Sequence, residues 1–189
     1  DGQCAARQSS ENILIESKTD APGLVIHIKP GTKGETVYIP ACVTHAGVDD
    51  LVYNDFYVGE GADVIIEAGC GVHSEGEEEA RHNGIHRFLL AKGAHVLYKE
   101  KHIATGDGKG DKVIDPVTDT ELAEDACLEM DTVQLGGVSR TTRKTRAVLQ
   151  KNARLLVRER IMTNGDEFAR TDFVVRLEGE GSAADLVSR

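Results

Sequence analysis

The chain has 189 residues, 32 acidic against 22 basic, and a net charge of −10. That length suits one domain with its own core rather than two large ones. The acidic balance excludes nucleic-acid binding over the whole surface, because phosphate contacts need an excess of Lys and Arg. Aromatic residues make up 4% and Trp is absent, so the core must be built from Val, Ile, Leu and Ala. No apolar run approaches the ~20 residues needed to cross a bilayer as a helix.

Residues 1–8 read as a polar, frayed lead-in. Ile13–Glu16 is a short strand, and Asp20-Ala21-Pro22-Gly23 a turn by composition. Leu24–Lys29 and Thr36–Ile39 are strands closed by Pro30-Gly31 and Pro40. Leu51–Val58, Ala62–Glu67, Ile85–Ala91 and Ala94–Ile103 continue the series, rich in β-branched residues and bounded by Gly, Pro, Asn or Asp. Thr105–Asp119 is the largest interruption, with a flexible acidic loop at Gly106–Asp111. It lacks the phosphate-loop spacing, so ATP hydrolysis is not expected. Thr120–Ala126 suits a short helix or an edge strand. Longer strands follow at Leu128–Leu135, Val138–Gln150, Ala153–Met162 and Phe168–Leu177. The first residue, Asp1, and the apolar run at Ala184–Arg189 read as cut ends, so the chain is expected to be a fragment of a longer protein.

The turns repeat. Gly31, Gly61, Gly93, Asn152 and Gly181 each open a strand-like run, at intervals of 30, 32, 59 and 29 residues. Those steps fall near multiples of about 30, inside the range of solenoid repeats. Gly or Asn at each step is what a left-handed corner requires. After each corner alternate residues are apolar: Val64 and Ile66, Val96 and Tyr98, Leu155 and Val157. Those residues are expected to point inward, with Asp63, His95 and Arg154 outward. The pattern predicts an all-β fold, a parallel β-helix of stacked coils spanning residues 1–189 as a single domain. An antiparallel sandwich of hairpins is the structural alternative.

The four cysteines, Cys4, Cys42, Cys70 and Cys127, form no Cys-x-x-Cys pair. A reducing cytoplasm is the expected location. Cys70 ends an apolar strand between two glycines, and His73, His82 and His86 follow on a polar connection. Zinc accepts one thiolate and three imidazoles, so Cys70, His73, His82 and His86 are the candidate metal ligands. A small buried cysteine beside solvated histidines is the plain alternative. The Gly-x-Ser-x-Gly hydrolase pattern is absent, and nothing recognisable orients a base for a cysteine nucleophile. Arg140, Arg143, Lys144, Arg146, Lys151, Arg154, Arg158 and Arg160 read as a basic outer face. No aromatics stand among these charges to stack bases. The face is expected to pair with acidic neighbours on adjacent coils or to meet a protein partner.

Ile66-Glu67-Ala68-Gly69-Cys70, then Ile85-His86-Arg87-Phe88-Leu89-Leu90-Ala91-Lys92-Gly93-Ala94-His95-Val96-Leu97-Tyr98, resembles the core of the SufB/SufD family. Gly179–Arg189 also resembles the coil leading into that family's C-terminal part. The family consists of scaffold subunits of the SUF iron–sulfur cluster assembly system, and its compact form is the closer likeness. The resemblance implies a right-handed parallel β-helix. It implies a SufC-type ABC ATPase as partner, and pairing of the β-helix with a SufB/SufD-type partner or with itself. It also implies sulfur delivered as persulfide from a cysteine desulfurase or sulfur carrier. Gly69-Cys70 and His86 match family positions, and Cys127 lies near where some members place a sulfur-accepting cysteine. Cys70, Cys127 and His86 are therefore the sulfur or cluster candidates, Cys70 foremost. The iron–sulfur cluster would be transient and not held by this fragment alone, since the family's cluster-building and ATPase-docking parts fall beyond Arg189. The implied activity is binding and transfer rather than enzymatic turnover. A zinc- or cysteine-dependent enzyme built on Cys70 and the histidines, and a purely structural solenoid, are the alternatives.

Overall fold

The computed structural model describes residues 9–189. The lead-in expected for residues 1–8, and Cys4 with it, lie outside the described residues. The strands are β1 (Ile13–Ser17), β2 (Gly23–Ile28), β3 (Lys33–Val43), β4 (Asp49–Val58), β5 (Asp63–His73), β6 (Ala80–Leu90) and β7 (His95–Thr105). They continue with β8 (Lys112–Ile114), β9 (Val117–Leu122), β10 (Cys127–Gln134), β11 (Arg140–Leu149), β12 (Arg154–Ile161), β13 (Phe168–Leu177) and β14 (Ala183–Ser188). No helix occurs among the described residues.

From β2 onward the chain alternates between two sheets, with β8 and β9 together forming one pass through the first, and every pairing from β2 onward is parallel. The first sheet runs β1-β2-β4-β6-β8-β11-β13, with β9 between β6 and β11, and the second runs β14-β12-β10-β7-β5-β3. This is a parallel β-helix of about six turns. The exception is β1, which folds back antiparallel on β2 and covers the edge of the first coil.

The corners are where the repeat predicts them. Gly31, Gly61, Gly93, Asn152 and Gly181 have φ of 71°, 62°, 64°, 55° and 71°. The gap of 59 residues is divided by Asp125, which takes the same left-handed conformation at φ 59°. The two coils on either side span 32 and 27 residues, as the Lys92–Glu124 and Asn152–Asp125 contacts register. Asp tolerates this region better than most residues with a side chain. Each corner N–H bonds to the next coil: Gly31 to Glu60 O at 2.8 Å, Gly61 to Lys92 O at 2.9 Å, Gly93 to Glu124 O at 3.0 Å. Asp125 bonds to Lys151 O at 2.9 Å and Asn152 to Glu180 O at 2.8 Å.

Three expectations are corrected. The polar connection after Cys70 is mostly strand: β5 runs on to His73 and β6 begins at Ala80. Its inward positions mix Val72 and Ala80 with Ser74, His82 and Gly84, so apolar alternation does not reveal them. The loop at Gly106–Asp111 is stacked on the loop of the coil before it. Gly108 N donates to Ser74 O and Gly110 N to Gly76 O. A Cβ on Gly106, Gly108 or Gly110 would come within 2.4 Å of that backbone, so alternate glycines allow the approach. Finally, the segment read as a short helix or edge strand contributes instead to β9, which pairs on both sides, with β6 and β11.

The inward residues form two apolar clusters. The larger includes Ile66, Phe56, Phe88, Tyr98, Leu128 and Leu155, with Phe88 stacked on Phe56 at 4.6 Å and edge-on to Tyr98 at 5.0 Å. The smaller holds Val43, Val72, Ala80, Ala104, Ile114 and Val138. A fully buried side chain of this size contributes roughly 1.5–3 kcal/mol. Between the two clusters, strand by strand, the interior is polar.

The outer face is laced across coils as expected. Arg146 forms a fork on Asp119 at 2.6 and 2.9 Å, Arg140 meets Glu79 at 3.0 Å, and Arg160 meets Asp131. Arg143 departs from this face, because its position in β11 turns it inward, where it is 5% exposed.

Candidate functional site

The polar belt lies inside the β-helix. On β5 the inward series is Ala68, Cys70, Val72; on β7 it is Tyr98, Glu100, His102, Ala104; on β6 it is Ala80, His82, Gly84, His86, Phe88. Strand alternation places every second residue inside. Parallel register then sets Cys70 beside His102, and His102 beside Gln134 of β10. From the opposite sheet Arg143 of β11 reaches across, with Glu159 of β12 beyond it.

Arg143 is the hub. Its Nη1 donates to His102 Nδ1 at 2.7 Å, its Nη2 to Glu100 Oε2 at 3.2 Å, and its Nε to Glu159 Oε1. Glu159 Oε2 accepts from Thr171 and Ser188 at 2.7 and 2.6 Å. A guanidinium cannot accept, so Nδ1 of His102 carries the lone pair and Nε2 carries the proton. That Nε2 is 3.2 Å from Glu100 Oε1 but is not aligned for a hydrogen bond. Tyr98 donates its hydroxyl to Glu100 Oε1 at 2.8 Å, so its oxygen accepts from His86 Nδ1 at 3.2 Å. His82 Nδ1 is held by Asp50 Oδ2 at 2.7 Å. Gly84 separates the two imidazoles: a Cβ there would lie 2.7 Å from His86 Nε2 and 3.7 Å from His82 Nε2.

Burial sets the charge states. It pushes the Cys70 thiol well up, with Glu100 adding to the effect, so the group is a thiol and not a thiolate. It lowers His86 to about 4, against the pull of Glu100, so the ring is neutral. His82 is also lowered by burial, opposed by Asp50. Burial works to raise Glu100, but His102 and Arg143 outweigh it and hold this carboxyl well below the usual carboxylate range. Tyr98 is pushed well up by burial and by Glu100.

Of the predicted metal ligands, Cys70, His82 and His86 all enter the lumen. His73 does not. Three residues on from Cys70 in the same strand, it faces outward, bonded to Thr105 Oγ1 at 2.9 Å and paired with Glu75 at 3.3 Å. Zinc held by Cys70, His73, His82 and His86 therefore does not fit this fold. Cys70 meets other groups: its Sγ, a Glu100 oxygen and a His102 nitrogen lie within 4.8 Å of one another. A resident metal on that trio is disfavoured by Arg143, which occupies the His102 lone pair at Nδ1 and leaves the proton on Nε2.

Along the same belt stand buried polar atoms without a partner among the protein groups: His102 Nε2 beside Cys70 and, one strand further on in β10, both amide atoms of Gln134 and Thr132 Oγ1. Buried groups of this kind mark a place for water or a polar guest. Glu100, His102 and Arg143 were absent from the sequence reading of the site. The signal for the first two is the alternation already used for Val96 and Tyr98; two further steps place Glu100 and His102 inside. Cys127 is on the outer face, half-buried. None of Cys42, Cys70 and Cys127 is in a disulfide.

Comparison with protein families, with curated proteins and with solved structures finds no match to this chain.

Proposed function

We propose that this chain is a scaffold subunit of iron–sulfur cluster assembly of the SufB/SufD kind, with Cys70 as the sulfur-handling residue. The observation that carries the reading is the position of Cys70. The thiol sits in a β-helix lumen within 4.8 Å of a buried carboxylate and imidazole, with unpaired polar atoms of Gln134 and Thr132 on β10, the strand beyond His102. The parallel β-helix and the inward placement of both Cys70 and His86 are consistent with the resemblance.

Sulfur enters as a persulfide. Because Cys70 is buried and protonated, transfer requires the β-helix to open locally: the exposed thiol then ionises and forms an S–S bond to the donor's outer sulfur, the donor's own S–S bond breaks, and the Cys70 proton ends on the donor thiol. No oxidant is consumed. Iron and sulfide are cargo, and thiolate is the soft ligand such clusters select. A SufC-type ATPase, a second β-helix and a cysteine desulfurase are the partners of this reading, in a cytoplasmic setting. Gly69 and Gly71 carry no side chains on the wall outside Cys70; nothing lies within 4 Å of a Cβ at Gly69, whereas Cys42 Sγ lies 3.4 Å from one at Gly71.

A second reading, a structural solenoid, is favoured by the closed Glu100–Arg143–Glu159 network. Metal and sulfide analysis of the full-length protein, purified anaerobically after co-expression with the ATPase, separates the two. Labile iron with acid-labile sulfide, lost in Cys70→Ser, is expected. Dialysis-resistant stoichiometric zinc, or no sulfide with and without the ATPase, would overturn the scaffold reading.

A further inference from the structure

A second cluster stands on the outer face of the sheet that contains β5, β7 and β10, just after the corners. Asp63, His95, Cys127 and Arg154 are side by side in successive coils. Glu129 lies two residues along from Cys127 and so on the same face. His95 Nδ1 is 3.0 Å from Asp63 Oδ1, and Nε2 is 3.0 Å from Glu129 Oε1. A ring nitrogen of His95, Cys127 Sγ and a Glu129 oxygen all lie within 4.8 Å of one another, each residue half-buried.

An imidazole held between two carboxylates needs either a proton on each nitrogen or a metal ion at one of them. A neutral imidazole has one N–H and can donate to only one of its two carboxylate neighbours. If Nδ1–H serves Asp63, the Nε2 lone pair faces a carboxylate oxygen of like polarity. A cation between Nε2, Glu129 and Cys127 turns that repulsion into coordination.

We propose that His95, Cys127 and Glu129 bind a divalent transition-metal ion of zinc's type, with Asp63 orienting His95. Imidazole, thiolate and carboxylate are the three ligand types zinc takes, at bond lengths of about 2.0–2.3 Å. Tetrahedral geometry at those lengths sets ligand atoms about 3.3–3.8 Å apart. The present separations need only side-chain adjustments. Asp63 accepts from Nδ1–H, which fixes the tautomer and presents Nε2 to the ion. The charges close: thiolate, Glu129 and Asp63 against a dication and Arg154, the neighbour of Cys127. The fourth position faces outward and is open to water or to a partner's side chain. Burial and then Glu129 raise the Cys127 thiol, with Arg154 opposing. The ion must therefore displace a proton, and affinity rises with pH.

The site shares no residue with the Cys70 belt and stands or falls independently of the scaffold reading. The test is anaerobic titration with cobalt(II), followed by its thiolate charge-transfer and tetrahedral ligand-field absorption. Wild type and Cys70→Ser should each bind one equivalent with a thiolate band, and Cys127→Ser should lose the band. Asp63→Asn should bind about ten- to hundred-fold more weakly. Glu129→Gln leaves the thiol in place and should also weaken binding. Circular dichroism verifies that each variant is folded. A thiolate band that survives Cys127→Ser, a band lost in Cys70→Ser, unchanged affinity in Glu129→Gln, or no stoichiometric binding by wild type would each overturn the site.

Discussion

Arg143 Nη1 donates to His102 Nδ1 at 2.7 Å, and this contact decides which nitrogen of His102 carries the proton. Through it the two sheets are tied across the lumen, because the same guanidinium also meets Glu100 and Glu159. All three charged side chains are nearly sealed from solvent, at 7%, 3% and 4% exposure.

Arg143→Met should therefore be strongly destabilising. It leaves two buried carboxylates without their cation, a loss of about 3–5 kcal/mol. Urea unfolding should record that fall. Adding Glu100→Gln and Glu159→Gln to the variant should recover much of it, since the stranded charges are gone. A wild-type midpoint for Arg143→Met alone would mean that the network contributes nothing.

Gly84→Ala tests the packing of the two imidazoles. The new methyl would lie 2.7 Å from His86 Nε2. Overpacking of this kind costs typically 1–3 kcal/mol. In Gly84→Ala/His86→Ala the clash is relieved, so the double variant should be more stable than the sum of the singles. Strict additivity would place His86 away from Gly84 in solution.

The corners and the inward apolar stripe were legible because they repeat: Gly or Asn at each turn, Val and Leu at every second place. Asp125 escaped because it is neither Gly nor Asn, although it adopts the same φ. The polar belt escaped for a different reason. Glu100, His102 and Arg143 are residues that usually face water, and only their register with apolar inward neighbours says otherwise. Arg143 was read with the basic outer face by composition, whereas its alternation with Thr141, Thr145 and Ala147 places it inside. Cys70 was legible as a candidate. Its true neighbours were not, because they arrive from other coils.

Stability should fall with acid in a defined window. His86 has a folded pKa of about 4 against 6.5 unfolded, and His82 is lowered in the same direction. Between those values the unfolded chain binds more protons, so the stability present above pH 6.5 is lost as the pH falls toward 4. Each such proton contributes a slope of up to ~1.4 kcal/mol per pH unit. Glu100, also depressed, adds loss below the unfolded carboxylate range. Unfolding midpoints at successive pH values should decline through this window, less steeply in His86→Gln. A flat profile from pH 7 to 4.5 would contradict the neutral buried imidazoles.

Thiol reactivity should rank the cysteines by place. Cys42 is exposed, Cys127 half-buried and Cys70 buried. Alkylation under native conditions, followed by peptide mass mapping, should label Cys42 first and Cys70 only as fast as the fold opens. Rapid labelling of Cys70 would show that the lumen is open to solvent.

Cys70→Ser is the sharpest test of function. The residue is 5% exposed and flanked by polar atoms, so a hydroxyl can replace the thiol with a stability change of about 1 kcal/mol or less. The fold should survive, and so, on the scaffold reading, should the full-length protein's complex with its proposed ATPase partner. What should vanish is sulfur chemistry: oxygen cannot form the persulfide, and a hydroxyl is a poor ligand for iron. The measurement is the rate at which iron and sulfide accumulate on the assembled complex, with the variant compared to wild type at equal folded concentration. If Cys70→Ser folds, binds the ATPase and accumulates cluster at the normal rate, then Cys70 is a packing residue and the polar belt exists to hold two sheets together.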